Sequence, residues 1–78
     1  MQPQHILVRS EVAGTVYEVL CAVEGSVAAG QDLLVIESMK MEVGVAAPVA
    51  GRVLRLLVAP GESVAADQPL VALEPAAT

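Results

Sequence analysis

Residues 12–37 of this chain lie over residues 49–74 at a constant offset of 37, with 13 identities in 26 positions and no gap. Val12-Ala13-Gly14 meets Val49-Ala50-Gly51, and Ser26-Val27-Ala28-Ala29 meets Ser63-Val64-Ala65-Ala66. Gln31, Leu33 and Glu37 meet Gln68, Leu70 and Glu74. Whatever the first half builds, the second half must therefore build again. Two copies are fewer than the three or so that a stacked array of repeats needs. The repeat points instead to two half-domains related by a quasi-twofold axis.

Each half reads as the same short strands. In the first, strands are predicted at Ile6–Arg9, Thr15–Leu20, Ser26-Val27 and Leu33–Glu37. In the second they are predicted at Glu42–Ala47, Arg52–Leu57, Ser63-Val64 and Leu70–Glu74. Thr15-Val16-Tyr17-Glu18-Val19 and Val53-Leu54-Arg55-Leu56 alternate as half-buried strands do. The chain holds 14 Val, 13 Ala and 9 Leu with a single aromatic, Tyr17, a balance that favours strands over helices. Gly and Pro recur so often that no helical stripe survives between them. Glu24-Gly25 and Pro60-Gly61 mark turns at nearly matching points, and Gly14 and Gly51 mark a bend or a close backbone approach in each half. The expected fold is all-β: two four-stranded antiparallel sheets with quasi-twofold symmetry, closed over a thin Val/Leu/Ala core as a flattened β-barrel or sandwich, a barrel-sandwich hybrid. Residues 1–78 make one domain.

Charge and hydropathy remove several classes of function. A net charge of −5 leaves no basic patch to neutralise phosphates, which argues against nucleic acid. No uncharged apolar run approaches the ~18 residues of a membrane span. Ile6-Leu7-Val8 is cut short by Arg9, far from a signal-peptide apolar region. Cys21 is the only cysteine, so no disulfide forms within the chain and a reducing, cytoplasmic setting is expected. No nucleophile–base pair, phosphate loop or carboxylate pair at a cleft can be found, and His5 lacks partners at metal-ligand spacing. An active site is not supported.

The two halves are joined by Glu37-Ser38-Met39-Lys40-Met41-Glu42. If Leu33–Glu37 and Glu42–Ala47 pair antiparallel, Met39 and Lys40 occupy a two-residue hairpin turn. Such turns want positive φ and usually carry Asn-Gly, so Met-Lys is a poor choice for folding. Two thioethers at an exposed tip are also poor for solubility. Lys40, the only lysine, would stand at the apex with a solvated amine open to an approaching enzyme. Under the 37-residue shift it corresponds to Pro3 and Ala77, so the tip and the chain termini should lie at opposite ends of the domain.

Met39-Lys40-Met41, with Glu37 before it and Glu42 after it, resembles the biotin attachment motif of the biotinyl-domain family, the biotin carboxyl carrier proteins and the carrier segments of biotin-dependent carboxylases. Val12-Ala13-Gly14-Thr15-Val16, Glu24-Gly25-Ser26-Val27, Gly30-Gln31 and Ala47-Pro48-Val49-Ala50-Gly51 resemble that family's turns and strands in order. Ser38 stands where the family more often has Ala, a small-for-small change. The resemblance implies biotin covalently bound on Lys40, attached by a biotin protein ligase. It implies that carboxybiotin is carried from a biotin carboxylase to a carboxyltransferase, as in acetyl-CoA carboxylase, for transfer to an acyl-CoA or a keto acid. The chain itself would be a non-catalytic carrier, since the cofactor supplies the chemistry. Met39 and Met41 would serve ligase recognition, and Glu37 and Glu42 could contact the ligase. Glu37 also has a repeat mate in Glu74, which gives it an equal claim to a structural role. The halves align without a gap between Leu20 and Val27, leaving no room for the extra "thumb" loop of some family members. With Met1 as its start, the carrier is expected to be free-standing and monomeric in isolation.

Two rival readings share part of this pattern. A lipoyl carrier has the same fold, repeat and apical lysine, but typically shows Asp-Lys-Ala at the tip. A non-carrier β-domain of the kind found in efflux adaptors would need a helical insertion at the hairpin and a signal peptide, and this sequence has neither.

Overall fold

Val- and Leu-rich runs separated by turn residues produce eight strands, and no helix among the described residues, in the computed structural model, which describes residues 5–76. They are β1 Ile6–Arg9, β2 Gly14–Val19, β3 Ser26–Val27, β4 Asp32–Ser38, β5 Met41–Ala46, β6 Gly51–Leu56, β7 Ser63–Val64 and β8 Pro69–Pro75. No expected strand end is misplaced by more than one residue. The strands form two four-stranded antiparallel sheets, ordered β1-β8-β6-β3 and β5-β4-β2-β7. Moving each strand to its repeat mate converts the first order into the second.

Hydrogen bonds obey the same operation. Ser10 N–H donates to the Gln68 carbonyl at 2.9 Å, and Ala47 N–H donates to the Gln31 carbonyl at 2.8 Å. Val16 N–H reaches the Glu62 carbonyl at 2.8 Å, and Val53 N–H reaches the Gly25 carbonyl at 2.9 Å. The Gln31 side chain accepts from Ala28 N–H at 3.0 Å, as Gln68 accepts from Ala65 N–H at 2.9 Å. The repeat therefore sets loop chemistry as well as strand placement.

The core is a thin Val/Leu layer, with Leu33, Leu34, Ile36, Val53, Leu70, Val71 and Leu73 fully buried. Alanine contributes less than composition suggested: Ala47 is the only buried one among the described residues. Burial of this kind is the main favourable contribution to a domain so small. The expected alternation breaks at two points in each half, one of them at Leu33 on β4 and at its mate Leu70 on β8, each followed by a second buried residue. At the other, a register shift falls between Val16 and Glu18 on β2 and between Val53 and Arg55 on β6. Each is an extra residue in the strand, so Tyr17 and Glu18 are both exposed.

Outside the turn between β4 and β5, four described loop positions have left-handed backbone, in two repeat-related pairs: Glu24 (φ 74°) with Gly61 (φ 91°), and Gly30 (φ 85°) with Asp67 (φ 69°). At the first turn the strained residue is Glu24, not the neighbouring Gly25. Gly25 closes the turn, its N–H donating to the Ala22 carbonyl at 2.9 Å and its carbonyl accepting from Val53 N–H at 2.9 Å. A Cβ on Gly61 would meet nothing within 4 Å, so alanine there is opposed by backbone strain alone. Gly61→Ala should cost about 1 kcal/mol, read as a fall in melting temperature of roughly 4–8 °C.

Strand direction fixes the two ends of the molecule. From Lys40, β5 carries the chain six residues away, roughly 20 Å, and Gly51 then pairs with Pro75 while Ile6 pairs with Leu73. The described ends of β1 and β8 thus lie far from Lys40, as the symmetry requires. Pro3 and Ala77, the repeat mates of Lys40, lie outside the described residues.

Candidate functional site

The junction between the halves is a hairpin with a turn of two residues. β4 ends at Ser38, β5 begins at Met41, and these two residues are direct partners. Met39 and Lys40 between them have φ of 52° and 66°, the doubly left-handed backbone of a tight hairpin turn. Each non-glycine residue there costs of order 1 kcal/mol. The sequence departs from Asn-Gly at this turn, so local stability is not what selects these side chains.

Met39 is 93 % exposed and Met41 67 %, so neither is anchored in the core. Lys40 is exposed, and among the described residues its amine has no hydrogen bond or ion pair. Such an amine is free to be acylated. The tip itself is braced. Ser38 Oγ donates to the Ala13 carbonyl at 2.9 Å, tying the end of β4 to the approach of β2. Beside it, Gly14 lies so close to the Glu37 carbonyl and Ile36 Cγ2 that a Cβ would collide with both. The brace was not legible beforehand, because Ser38 and Ala13 are brought together by tertiary folding. The repeat was the only available hint, through Gly14 and Gly51.

Glu37 and Glu42 are direct cross-strand partners, and both are exposed. Like charges in that arrangement are destabilising. The repeat mate of Glu37 behaves differently. Glu74 takes an ion pair from Arg52 at 2.8 Å, and Arg52 also reaches Glu24 at 3.1 Å. The structural role that Glu37 shares with Glu74 is thus in its backbone, packed on Gly14 as Glu74 is packed on Gly51. All three arginines, Arg9, Arg52 and Arg55, lie on the sheet of β1 and β6. The sheet of the hairpin carries Glu18, Asp32, Glu37 and Glu42 on its strands, with Lys40 as its one cation.

Other candidates yield no chemistry. Cys21 packs against the core, and burial pushes its thiol up despite a backbone hydrogen bond acting the other way. His5 is exposed, and no group of three or more potential metal ligands exists among the described residues. No helix of the described residues is long and apolar enough to cross a membrane. The connections 20–25 and 57–62 are equally long, so the first half has no additional loop.

A family model described as biotin-requiring enzyme, covering biotin and lipoyl attachment, matches residues 6–73. Among solved structures the chain is similar to part of a single-chain, multi-domain long-chain acyl-CoA carboxylase. That likeness has a TM-score of 0.86 and 42 % identity, over 97 % of this chain and 8 % of the other. It is also similar to part of the Kluyveromyces lactis urea carboxylase, with a TM-score of 0.87 and 30 % identity, over 94 % of this chain and 6 % of the other. No curated protein sequence matches. The chain therefore spans less than a tenth of the length of either carboxylase.

Proposed function

This chain belongs to the biotin-requiring enzyme family of biotin and lipoyl attachment domains, and from that premise we propose that it is a biotin carboxyl carrier modified on Lys40. The observation that carries the reading is an only lysine raised on a two-residue turn, its amine unpaired among the described residues and its neighbours turned to solvent. A biotin protein ligase, using ATP, joins the biotin carboxyl group to the Lys40 amine as an amide. A biotin held there would supply a ureido ring able to carry a carboxyl group. The chain's own residues do not perform these steps. The Ser38–Ala13 brace and the tight turn hold the attachment point at a fixed height above the barrel. The long lysine stem supplies reach. Biotin carboxylase and carboxyltransferase activities belong to partner chains or domains, which set the choice of acyl-CoA or other acceptor.

Met39 and Met41 distinguish this tip from a lipoyl tip. Specificity is a difference between two ligases, and the methionines act both by fitting one and by spoiling the fit of the other. Incubation with a biotin ligase should give one biotin per chain by intact mass, and a lipoate ligase should give little product. Exchanging the tip, Met39→Asp with Met41→Ala, should slow biotinylation at least about tenfold, or ~1.4 kcal/mol. The melting temperature should barely move, because both side chains are exposed. Preferential loading of the unaltered chain with lipoate would overturn the reading.

A further inference from the structure

β1 and β5 are the outer strands of their sheets, and a groove of about 400 Å³ runs between them. That volume lies within the range of small-molecule sites. Its lining is mixed: Val8, Val12, Val43 and Val45 supply apolar surface, and Arg9, Ser10 and Glu11 supply polar groups at one side. Backbone groups of Gly44 and Leu7 add to the polar part of that surface. In the β4–β5 hairpin, Ser38 and Met41 flank the turn and exchange hydrogen bonds, and the register is regular from there to Val35–Gly44. Alternation of bonded and non-bonded pairs then turns the Gly44 N–H and carbonyl away from β4, toward the groove. Leu7, the repeat mate of Gly44, pairs with Ala72 as Gly44 pairs with Val35, so its peptide groups turn the same way on β1. The groove is thus a slot with valine side chains and, on each wall, a strand-edge N–H and carbonyl that pair with no other strand among the described residues.

Resting on the carrier reading of Lys40, we propose that this groove is a parking site for the chain's own biotinyl group. The chemistry matches: a ureido ring offers one carbonyl and two N–H groups, complementary to a free strand edge, and the fused thioether ring and its aliphatic tether are apolar. The reach matches as well. Gly44 is four residues from Lys40, roughly 13 Å along a strand, and the modified side chain places about eleven bonds, roughly 14 Å, between Cα and the ring. The near end of the groove is close to the tip, since Val12 adjoins Ala13, whose carbonyl holds Ser38. A resting site of this kind shields the ring between visits to catalytic partners, and its few contacts keep it weak enough to release.

The test compares the unmodified chain with the chain carrying one biotin by intact mass, both isotopically labelled for NMR. Hydrogen exchange at the Gly44 and Leu7 amides should slow roughly threefold on modification, as expected for a ring parked about two-thirds of the time. Contacts between ring protons and the Val12 and Val43 methyl groups should appear. Leu7→Trp, at a position already 44 % exposed, should fill the groove and abolish both effects while biotin loading stays at one per chain. Changes confined to residues 38–42, or unaltered by Leu7→Trp, would overturn the proposal. So would the same shifts arising with concentration in the unmodified chain, which would assign the groove to a second copy. A chain that accepts no biotin at all would instead remove the carrier reading beneath it.

Discussion

Lys40→Ala is expected to take the biotin content of the chain from one to zero. No second lysine exists to receive misdirected biotin, and arginine cannot substitute, because its guanidinium stays protonated and is a poor nucleophile. Lys40→Arg should therefore also read zero, which separates loss of the amine from loss of positive charge. Neither change should disturb folding, since the Lys40 side chain is exposed and makes no contact that the barrel needs. Lys40→Gly goes further. Glycine adopts φ of 66° without strain, so this variant should lose all modification while gaining up to about 1 kcal/mol of stability. Intact mass and thermal melting on the same samples would show both. Avidin binding by any of the three variants would displace Lys40 from its proposed role. Modification itself removes one ammonium, taking the formal charge from −5 to −6, and leaves the sheet of the hairpin without a cation on its strands or turn.

The largest loss of stability is expected from Gly51→Ala. A Cβ there would drive into the Glu74 carbonyl and also meet Pro75 Cα at 3.1 Å, and both obstacles are backbone. Nothing at this contact can rotate aside, so β6 and β8 must separate. Such overpacking costs 1–3 kcal/mol or more, and a collision with paired main chain should reach about 3 kcal/mol. A domain of this length has only about 4–12 kcal/mol in total. The melting temperature should fall by more than ~10 °C, against the ~1 kcal/mol of Gly61→Ala, where the strain is local and the space is open. Gly14→Ala should cost about as much, because a Cβ there meets the Glu37 carbonyl in the same way and the buried Ile36 side chain besides. Equal losses for Gly51→Ala and Gly61→Ala in urea titrations would show that the strands can yield.

The repeat made most of this fold legible. Aligning the halves located all eight strands, the glycines under pressure and the hairpin between them, because each half supplied a second reading of the other. Positive φ at Met39 and Lys40 followed from strand pairing and loop length alone. Features that depend on contacts across the fold were less accessible. The extra residues at Tyr17 and Leu54 leave no mark on hydrophobic alternation until the register is known. The left-handed Glu24 was hidden by the glycine beside it. The Ser38 brace and the groove between β1 and β5 depend on residues far apart in sequence. Lys40 was conspicuous for a different reason, being flanked by side chains that suit neither a turn nor water.

Each sheet takes its two inner strands from one half and its two outer strands from the other. Neither half could close a sheet by itself. A chain of about half this length, bearing one copy of the repeat, could complete the same barrel only by exchanging strands with an identical chain across a true twofold axis. The present molecule has the architecture of such a self-paired dimer fused end to start. In the dimer every chain end would have met a chain start at both poles of the barrel. In the single chain one of those poles is closed by the Met39-Lys40 turn, so the covalent joint between the two halves is the place where Lys40 stands.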